Sequence, residues 1–394
     1  MSPASVEEHA RHVADLLERL LTRTPEKVTV SESLGRVAWE DVASPVDLPL
    51  FRNSQMDGYA VRAADIAHVP ATLRVTSTIA AGPSAPPMLD TGTAVKIMTG
   101  APVPASADAV VPVEHTEAHG GEVTITVSHS EGDYIREQGS DITAGTVLVR
   151  AGTTIEPRHV AVLAAVGLSH TEVRSRPRVA VITTGAELVP AGSTLQPGQI
   201  YDSNGATLAA HLQAAGAEVV GVYRSSDDHD SFRTLLTRAT GSAELVVTSG
   251  GVSMGDFEVV KDVLTPLGGR FGSVRMQPGG PQGTAVVDGV PVLAFPGNPV
   301  STVVSFLVFA RNLVRQAAGR APVLPVRSTL KHPVTSVAGK RQFLRGTLES
   351  DGVKSISGPG SHLVAAMAWA DVLIDIPSEA TELEAGAEVQ VIPL

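Results

Sequence analysis

The stretch that decides the fold is Val246-Val-Thr-Ser-Gly-Gly-Val-Ser-Met-Gly-Asp256. An apolar run closes on two hydroxyls and two glycines, then adds a serine, a glycine and an acid. A plain strand-to-helix connection does not need that composition. A bound anion with a metal beside it does.

Working outward, the same alternation recurs. From Arg178, RVAVI leads to a helix predicted from Ser203, and AEVVGVY to one from about His229. ELVVT, which feeds the opening stretch, leads to a helix near Phe257 to Leu264. FGSVRM is followed by the hairpin AVVDGVPVLAF, turned by Asp288-Gly289, and the helix PVSTVVSFLVFARNLVRQ closes the unit. Strand, loop and helix in repetition predict a doubly wound, mainly parallel α/β domain, with ligands at the carboxyl ends of its strands.

The flanks have another texture. Ser5 and Glu8 have capping-box spacing ahead of a helix whose apolar face is Val13, Leu16, Leu17, Leu20 and Leu21. From Lys27 to about Arg150, short β-type runs such as LRVTSTI, AVKIM and EVTITV are punctuated by Pro, Gly, Asp and Asn. Pro157 opens a short, mostly apolar helix, and after Pro322 β-type runs return. A chain of 394 residues suggests roughly two to four domains.

Composition narrows the function. A net charge of -11 without a basic stripe argues against a nucleic-acid partner. An anionic substrate would then be held by local devices: helix N-termini, glycine amides, a metal. The absence of cysteine removes disulfides, thiolate metal sites and a cysteine nucleophile. Apolar runs are too short for a membrane span, and MSPASVEEHARH carries acids without an apolar leader. Cytoplasmic location without membrane partners is the expectation.

Four loops carry the candidate chemistry: TTGAEL (Thr183–Leu188), IYDSNG (Ile200–Gly205), TSGGVSMGD and FPGNPVS (Phe295–Ser301). Each alone is ordinary turn chemistry. Together, with Glu187, Asp202 and Asp256 near them, they point to an anion or nucleotide site. Neither the P-loop nor the dinucleotide fingerprint occurs. Within Ser226-Asp227-Asp228-His229-Asp230 most acids suit a helix cap and first turn. One carboxylate there, with Glu258 or Asp256, could instead hold a hard divalent cation. In the β-rich region, Asp57-Gly58 alone would read as a hairpin turn.

NSQMDGYAVR, IMTGAPVPASADAVV, TTGAEL, GQIYDSN, TSGGVSMGD and FPGNPVS occur in this order. The ordered set resembles the MoeA / gephyrin E-domain family of molybdopterin molybdenumtransferases over essentially the whole chain. The resemblance implies insertion of molybdenum from molybdate into adenylylated molybdopterin, with Mg²⁺-dependent release of AMP. It implies a multidomain α/β fold: a central doubly wound α/β domain like that of MoaB and Mog, an N-terminal β-rich domain, a helical/β linker domain and a C-terminal β-barrel-like domain. The boundaries expected are 1–26 with 44–50 and 145–177 for the linker, 27–43 with 51–144 for the β-rich domain, 178–322 for the α/β domain, and 323–394 for the last.

It further implies a homodimer whose active site is shared between subunits, and molybdopterin adenylyltransferase as a candidate partner. By motif, Asp57, Thr99 and Asp141 resemble residues reaching in from the second subunit, and Glu187 the acid beside the metal-insertion centre. Asp228, with Glu258 or Asp256, resembles the cation ligands. Thr184, Gly185, Asp202, Ser249, Gly250, Gly251, Ser253, Pro296, Gly297, Asn298, Pro299 and Ser361 resemble the substrate-binding set, with the glycine amides cradling phosphate. This chain departs from the family pattern at Ala186, at Glu258, and at Gln277 and Gly280, where two lysines are usual. Arg275 or Arg341 are the candidates to cover that lost charge. Pterin adenylylation and a non-catalytic scaffold are the alternatives on the same fold; the extra domains oppose the first, and the retained Asp57, Glu187 and Asp228 the second.

Overall fold

The computed structural model describes residues 3–83, 85–253 and 258–394. They fall into two compact units, one running to Glu26 and resuming at Val173–Leu394, the other Lys27–Glu172.

The first unit opens with α1, Val6–Leu17, whose N-terminus carries the capping box expected from sequence: Glu8 N donates to Ser5 Oγ at 3.1 Å, and Ser5 N to Glu8 Oε2 at 2.7 Å.

The second unit is built on a six-stranded sheet. Its strands are β1 (Gly58–Val61), β2 (Ala71–Ile79), β3 (Thr93–Ile97), β4 (Ala109–Pro112), β5 (Thr116–His119) and β6 (Glu122–Ile125), in the order β4-β1-β3-β2-β6-β5. All pairs are antiparallel except β2 with β3. Both faces are covered. Ala60, Val95, Ile97 and Val110 pack on one side, and Tyr59, Val61, Ala94 and Val111 on the other, as period-two alternation requires. The helix α2, Pro157–Ala165, begins at Pro157 as expected.

Gly58 does not turn a hairpin. It lies inside β1 opposite Ile97 and Pro112, and a Cβ placed on it would sit 2.0 Å from the Val111 carbonyl oxygen. The glycine is there because two backbones approach too closely for any side chain. We expect Gly58→Ala to cost about 3 kcal/mol or more, lowering the melting transition of this unit by roughly 6–12 °C. Calorimetry showing an unchanged transition would mean that β1 can move away from β4 freely.

In the first unit the alternation read from sequence becomes β7 (Arg178–Thr184), α3 (Ser203–Ala215), β8 (Glu218–Ser225), α4 (His229–Thr240), β9 (Leu245–Ser249) and α5 (Val259–Leu264). There follow β10 (Arg270–Ser273), β11 (Met276–Gln277), β12 (Pro281–Val287) and β13 (Val290–Phe295). The sheet order is β8-β7-β9-β13-β12-β10, with β8, β7, β9 and β13 parallel and β12 antiparallel to both its neighbours. Asp288 and Gly289, both at positive φ, turn the β12–β13 hairpin.

Alternate residues of β7 face opposite layers. Val179 and Val181 meet Leu208, Leu212 and Phe306, while Ala180 and Ile182 meet Phe232, Leu236 and Val260. The closing helix is continuous but not uniform: α6 (Pro299–Ser305) passes through a π-helical stretch, Phe306–Ala310, into α7 (Arg311–Ala317).

The C-terminal strands β14 (Val326–Thr329), β15 (Arg341–Glu349), β16 (Gly352–Ser355), β17 (Val372–Ile376) and β18 (Glu388–Pro393) form a second sheet. Its order is β11-β15-β17-β18-β14, with β16 paired to β15. Leu344, Val353, Ile374 and Val391 build its own core, while Phe343, Leu373 and Ile392 join the core of α1, α3 and α6. No helix among the described residues is long and apolar enough to cross a membrane.

Candidate active site

The carboxyl ends of β7, β9 and β13 and the N-termini of α3 and α6 surround a cavity of about 590 Å³. This is the rim where a doubly wound sheet presents ligands. Thr184, Gly185, Glu187, Asp202, Gly250, Gly251, Ser253 and Glu258 line it, together with Pro296, Gly297, Asn298, Pro299 and Ser361. Every member of the expected substrate-binding set is therefore in the wall except Ser249, which is buried just beneath it.

The Gly250 amide is not part of the cradle expected of these glycines. Gly250 has φ +100, and a Cβ on it would come within 2.7 Å of both the carbonyl and hydroxyl oxygens of Thr184. Its own amide donates to the Phe295 carbonyl at 3.0 Å, extending the sheet, so it is not offered to a ligand. Gly297 faces the Gly250 Cα at a Cβ distance of 3.2 Å. These residues are small so that three loops can close on each other. Gly185 leaves room for the Glu187 carboxylate, which would lie 2.6 Å from a Cβ there. The Thr184 hydroxyl is buried and makes no hydrogen bond among the described residues.

Three carboxylates line the cavity besides Asp202: Glu187, Asp227 and Glu258. Asp202 is nearly buried and its oxygens are engaged, accepting from Thr183 Oγ1 at 2.7 Å and from Gly205 N at 3.0 Å, with Arg224 Nε at 3.4 Å. Its role is to cap α3. Asp228 likewise caps α4, accepting from Ser231 N at 2.7 Å, and it is outside the lining. The aspartate in the wall is Asp227, whose Oδ2 accepts from Ala186 N at 3.1 Å and so ties the β8–α4 loop to the one bearing Glu187. Of the two adjacent acids, Asp227 and not Asp228 lines the cavity. Helix logic carries the signal: the acid directly before a helix start is its cap, and the acid one earlier is left facing the strand ends. Glu258 accepts from Ser253 N at 2.7 Å. Asp256 lies outside the described residues.

Asp57, Thr99 and Asp141 belong to the second unit and are all exposed. Asp57 Oδ1 accepts from Thr99 N at 2.7 Å and from Thr99 Oγ1 at 2.9 Å. These two donors, the amide first, hold the carboxyl below the usual carboxylate range. Asp141 donates its amide to the Leu48 carbonyl at 2.9 Å.

Gln277 and Gly280 are not in the wall, although their neighbours Gly279 and Pro281 are. Positive φ falls on Gly279 (+98), not on Gly280, where a Cβ would meet Ser273 and Val274 at an ordinary 3.5 Å. Arg341 is engaged by Asp375 at 2.7 Å and Glu7 at 2.5 Å, whereas Arg275 is exposed. The residue with a structural role that the sequence reading left unassigned is Asn204, buried behind the wall it helps to line.

Fold and site define a multidomain α/β protein whose doubly wound sheet presents acids and closely packed glycine loops to one polar cavity. Three family models match in sequence: the MoeA N-terminal region (domain I and II) over residues 4–167, a probable molybdopterin binding domain over 180–316, and the MoeA C-terminal region (domain IV) over 327–394. The chain is 43% identical to molybdopterin molybdenumtransferase 2 of Mycobacterium tuberculosis, covering 98% of each chain. It is 37% identical to molybdopterin molybdenumtransferase 1 of that organism, covering 93% of this chain and 94% of the other. A crystal structure of the molybdopterin biosynthesis MoeA protein from Pyrococcus horikosii superposes with a TM-score of 0.80 at 34% identity, over 100% of this chain and 99% of that one. The chain belongs to the MoeA family of molybdopterin molybdenumtransferases, and its enzyme class is that of a transferase.

Proposed function

We propose that this protein inserts molybdenum from molybdate into adenylylated molybdopterin, breaking the phosphoanhydride and releasing AMP with Mg²⁺. The observation that carries this reading is the convergence of Glu187, Asp227 and Glu258 on one cavity of about 590 Å³, walled by the glycine loops of Gly250 and Gly297. The relatives' names supply the substrate class.

Carboxylates are the hard oxygen donors Mg²⁺ prefers. Among the described residues no three acidic or histidine side chains converge closely enough to hold an ion alone. That fits Mg²⁺, which takes one or two carboxylates and completes its shell with substrate phosphates and water. Asp227 and Glu258 are the residues we assign to it, and the bound ion would neutralise charge on the anhydride. We assign Glu187, which lines the cavity beside Gly185, to the reacting centre. The α6 N-terminus at Asn298, which has no side-chain cap, contributes positive potential to a chain of net charge -11, whereas the α3 N-terminus is already met by the Asp202 carboxylate.

We read the chain as four parts, with 1–26, 44–50 and 145–177 as linker, 27–43 and 51–144 as the β-rich part, 178–322 as the α/β part and 323–394 as the last. In this reading it works in the cytoplasm as a homodimer, Asp57, Thr99 and Asp141 of one subunit serving the cavity of the other, and molybdopterin adenylyltransferase delivers the substrate. Among the described residues the lining named for the cavity belongs to the first unit, and Asp57, Thr99 and Asp141 belong to the second. The test is AMP release and cofactor formation from purified protein, adenylylated molybdopterin and molybdate. Activity that needs Mg²⁺ supports the assignment; full turnover in excess chelator removes the cation from it.

The loss of two lysines gives a second measurable outcome. Each should weaken oxyanion attraction by roughly 1 kcal/mol at a partly exposed site. Gln277→Lys with Gly280→Lys should then lower half-saturating molybdate by about tenfold or more, with the larger effect at low salt. A Cβ at Gly280 meets only ordinary contacts, so a side chain starts there without a clash. Unchanged half-saturation would move oxyanion capture to Arg275.

A further inference from the structure

Beneath the cavity floor runs a chain of side-chain hydrogen bonds that ties the two helix N-termini together. Asn204, in the first turn of α3, donates from Nδ2 to Ser249 Oγ at 3.0 Å and to the Gly297 carbonyl at 2.6 Å. Ser249 Oγ lies 3.0 Å from Thr302 Oγ1, and Thr302 Oγ1 lies 2.7 Å from the Pro296 carbonyl. Asn204 is 9% exposed, Ser249 1% and Thr302 0%.

Proton counting gives the chain one direction. The Gly297 carbonyl only accepts, so the Asn204 atom facing it is the amide nitrogen, and both of its hydrogens are used. Pro296 also only accepts, and Thr302 Oγ1 at 2.7 Å is a closer donor to it than Ser249 Oγ at 3.2 Å, as it is closer to Pro296 O than to the Asn298 carbonyl at 3.2 Å. The Thr302 oxygen is then left to accept from Ser249, and Ser249 to accept from Asn204. The run Asn204, Ser249, Thr302, Pro296 is thus satisfied at every step, and such networks strengthen cooperatively in a dry interior. It holds Pro296 through Thr302, which is outside the lining, and Gly297 through Asn204, which is at its edge.

We propose that Thr302 and Asn204 are positioning residues for substrate binding: they hold the Pro296–Gly297 segment in register with Gly250, so that the cavity presents one fixed wall to the adenylylated substrate. This rests on the function proposed above. Thr302 lies outside the wall itself, and its action is through Pro296.

Thr302→Val keeps the volume but removes the hydroxyl, leaving Ser249 with a poorer acceptor, Pro296 O at 3.2 Å. With the acids of the cavity untouched, KM for adenylylated molybdopterin should rise about tenfold while kcat stays within about threefold, the signature of lost binding rather than lost chemistry. Thr302→Ser restores the hydroxyl and should return KM to within about threefold of wild type. Both are measured well below their melting temperatures, with binding of AMP followed by calorimetry as a readout independent of turnover. Unchanged KM and AMP affinity in Thr302→Val would overturn the proposal, as would a Thr302→Ser variant as impaired as Thr302→Val. If Thr302→Val fails to fold, Asn204→Asp, which removes both donors, must reproduce the KM increase or the idea falls. Wild-type protein that neither forms cofactor nor binds AMP would instead defeat the underlying reading of function.

Discussion

In the function proposed above, Asp227→Ala should lower AMP release by at least ~100-fold and leave the fold intact, whereas Asp228→Ala should retain most of the activity and lose about 1 kcal/mol of stability. The two residues are adjacent, yet only the first lines the cavity. Losing one electrostatic element at a phosphate-transfer site costs about 10²–10³ in rate. Asp228 caps α4 through Ser231 N, and replacing such a cap by Ala costs typically ~1 kcal/mol. Steady-state rates and thermal melts on both variants check the pair. Equal inactivation without a stability difference would restore Asp228 as the cation ligand and make the cap incidental.

Complementation between subunits is the second large effect. In the dimer proposed above, Asp57→Ala and Asp227→Ala homodimers are each inactive, because every site lacks one essential carboxylate. A heterodimer of the two carries both lesions in one site and none in the other, so purified heterodimers recover roughly half of wild-type activity. The prediction is sharp because Asp57 is a fixed group: both Thr99 donors address the same oxygen, Oδ1. Verified heterodimers with no recovery would place both carboxylates in one chain's site.

Much of the fold was legible locally. The capping box at Ser5 and Glu8, the start of α2 at Pro157, the Asp288-Gly289 hairpin and the strand–helix alternation from Arg178 all appear as read, because each depends on neighbours within a few residues. The loops that meet around the cavity were legible for a related reason: in a doubly wound sheet the strand ends share one rim. Glycine roles were not legible. Gly58 reads as a turn and Gly250 as a phosphate cradle, but Val111 and Thr184, distant in sequence, are what exclude a side chain at each.

What the sequence by itself determined is the order of elements, the α/β class and the set of motifs that defines the family, since periodicity, caps and turns are short-range properties. The tertiary structure alone decided which acid of the Asp227-Asp228 pair faces the cavity, which glycines serve packing, and that Asn204, Ser249 and Thr302 form one chain under its floor. Those outcomes depend on which atoms from distant segments come within about 3 Å of each other, and hydrogen bonding and exclusion act only at that range.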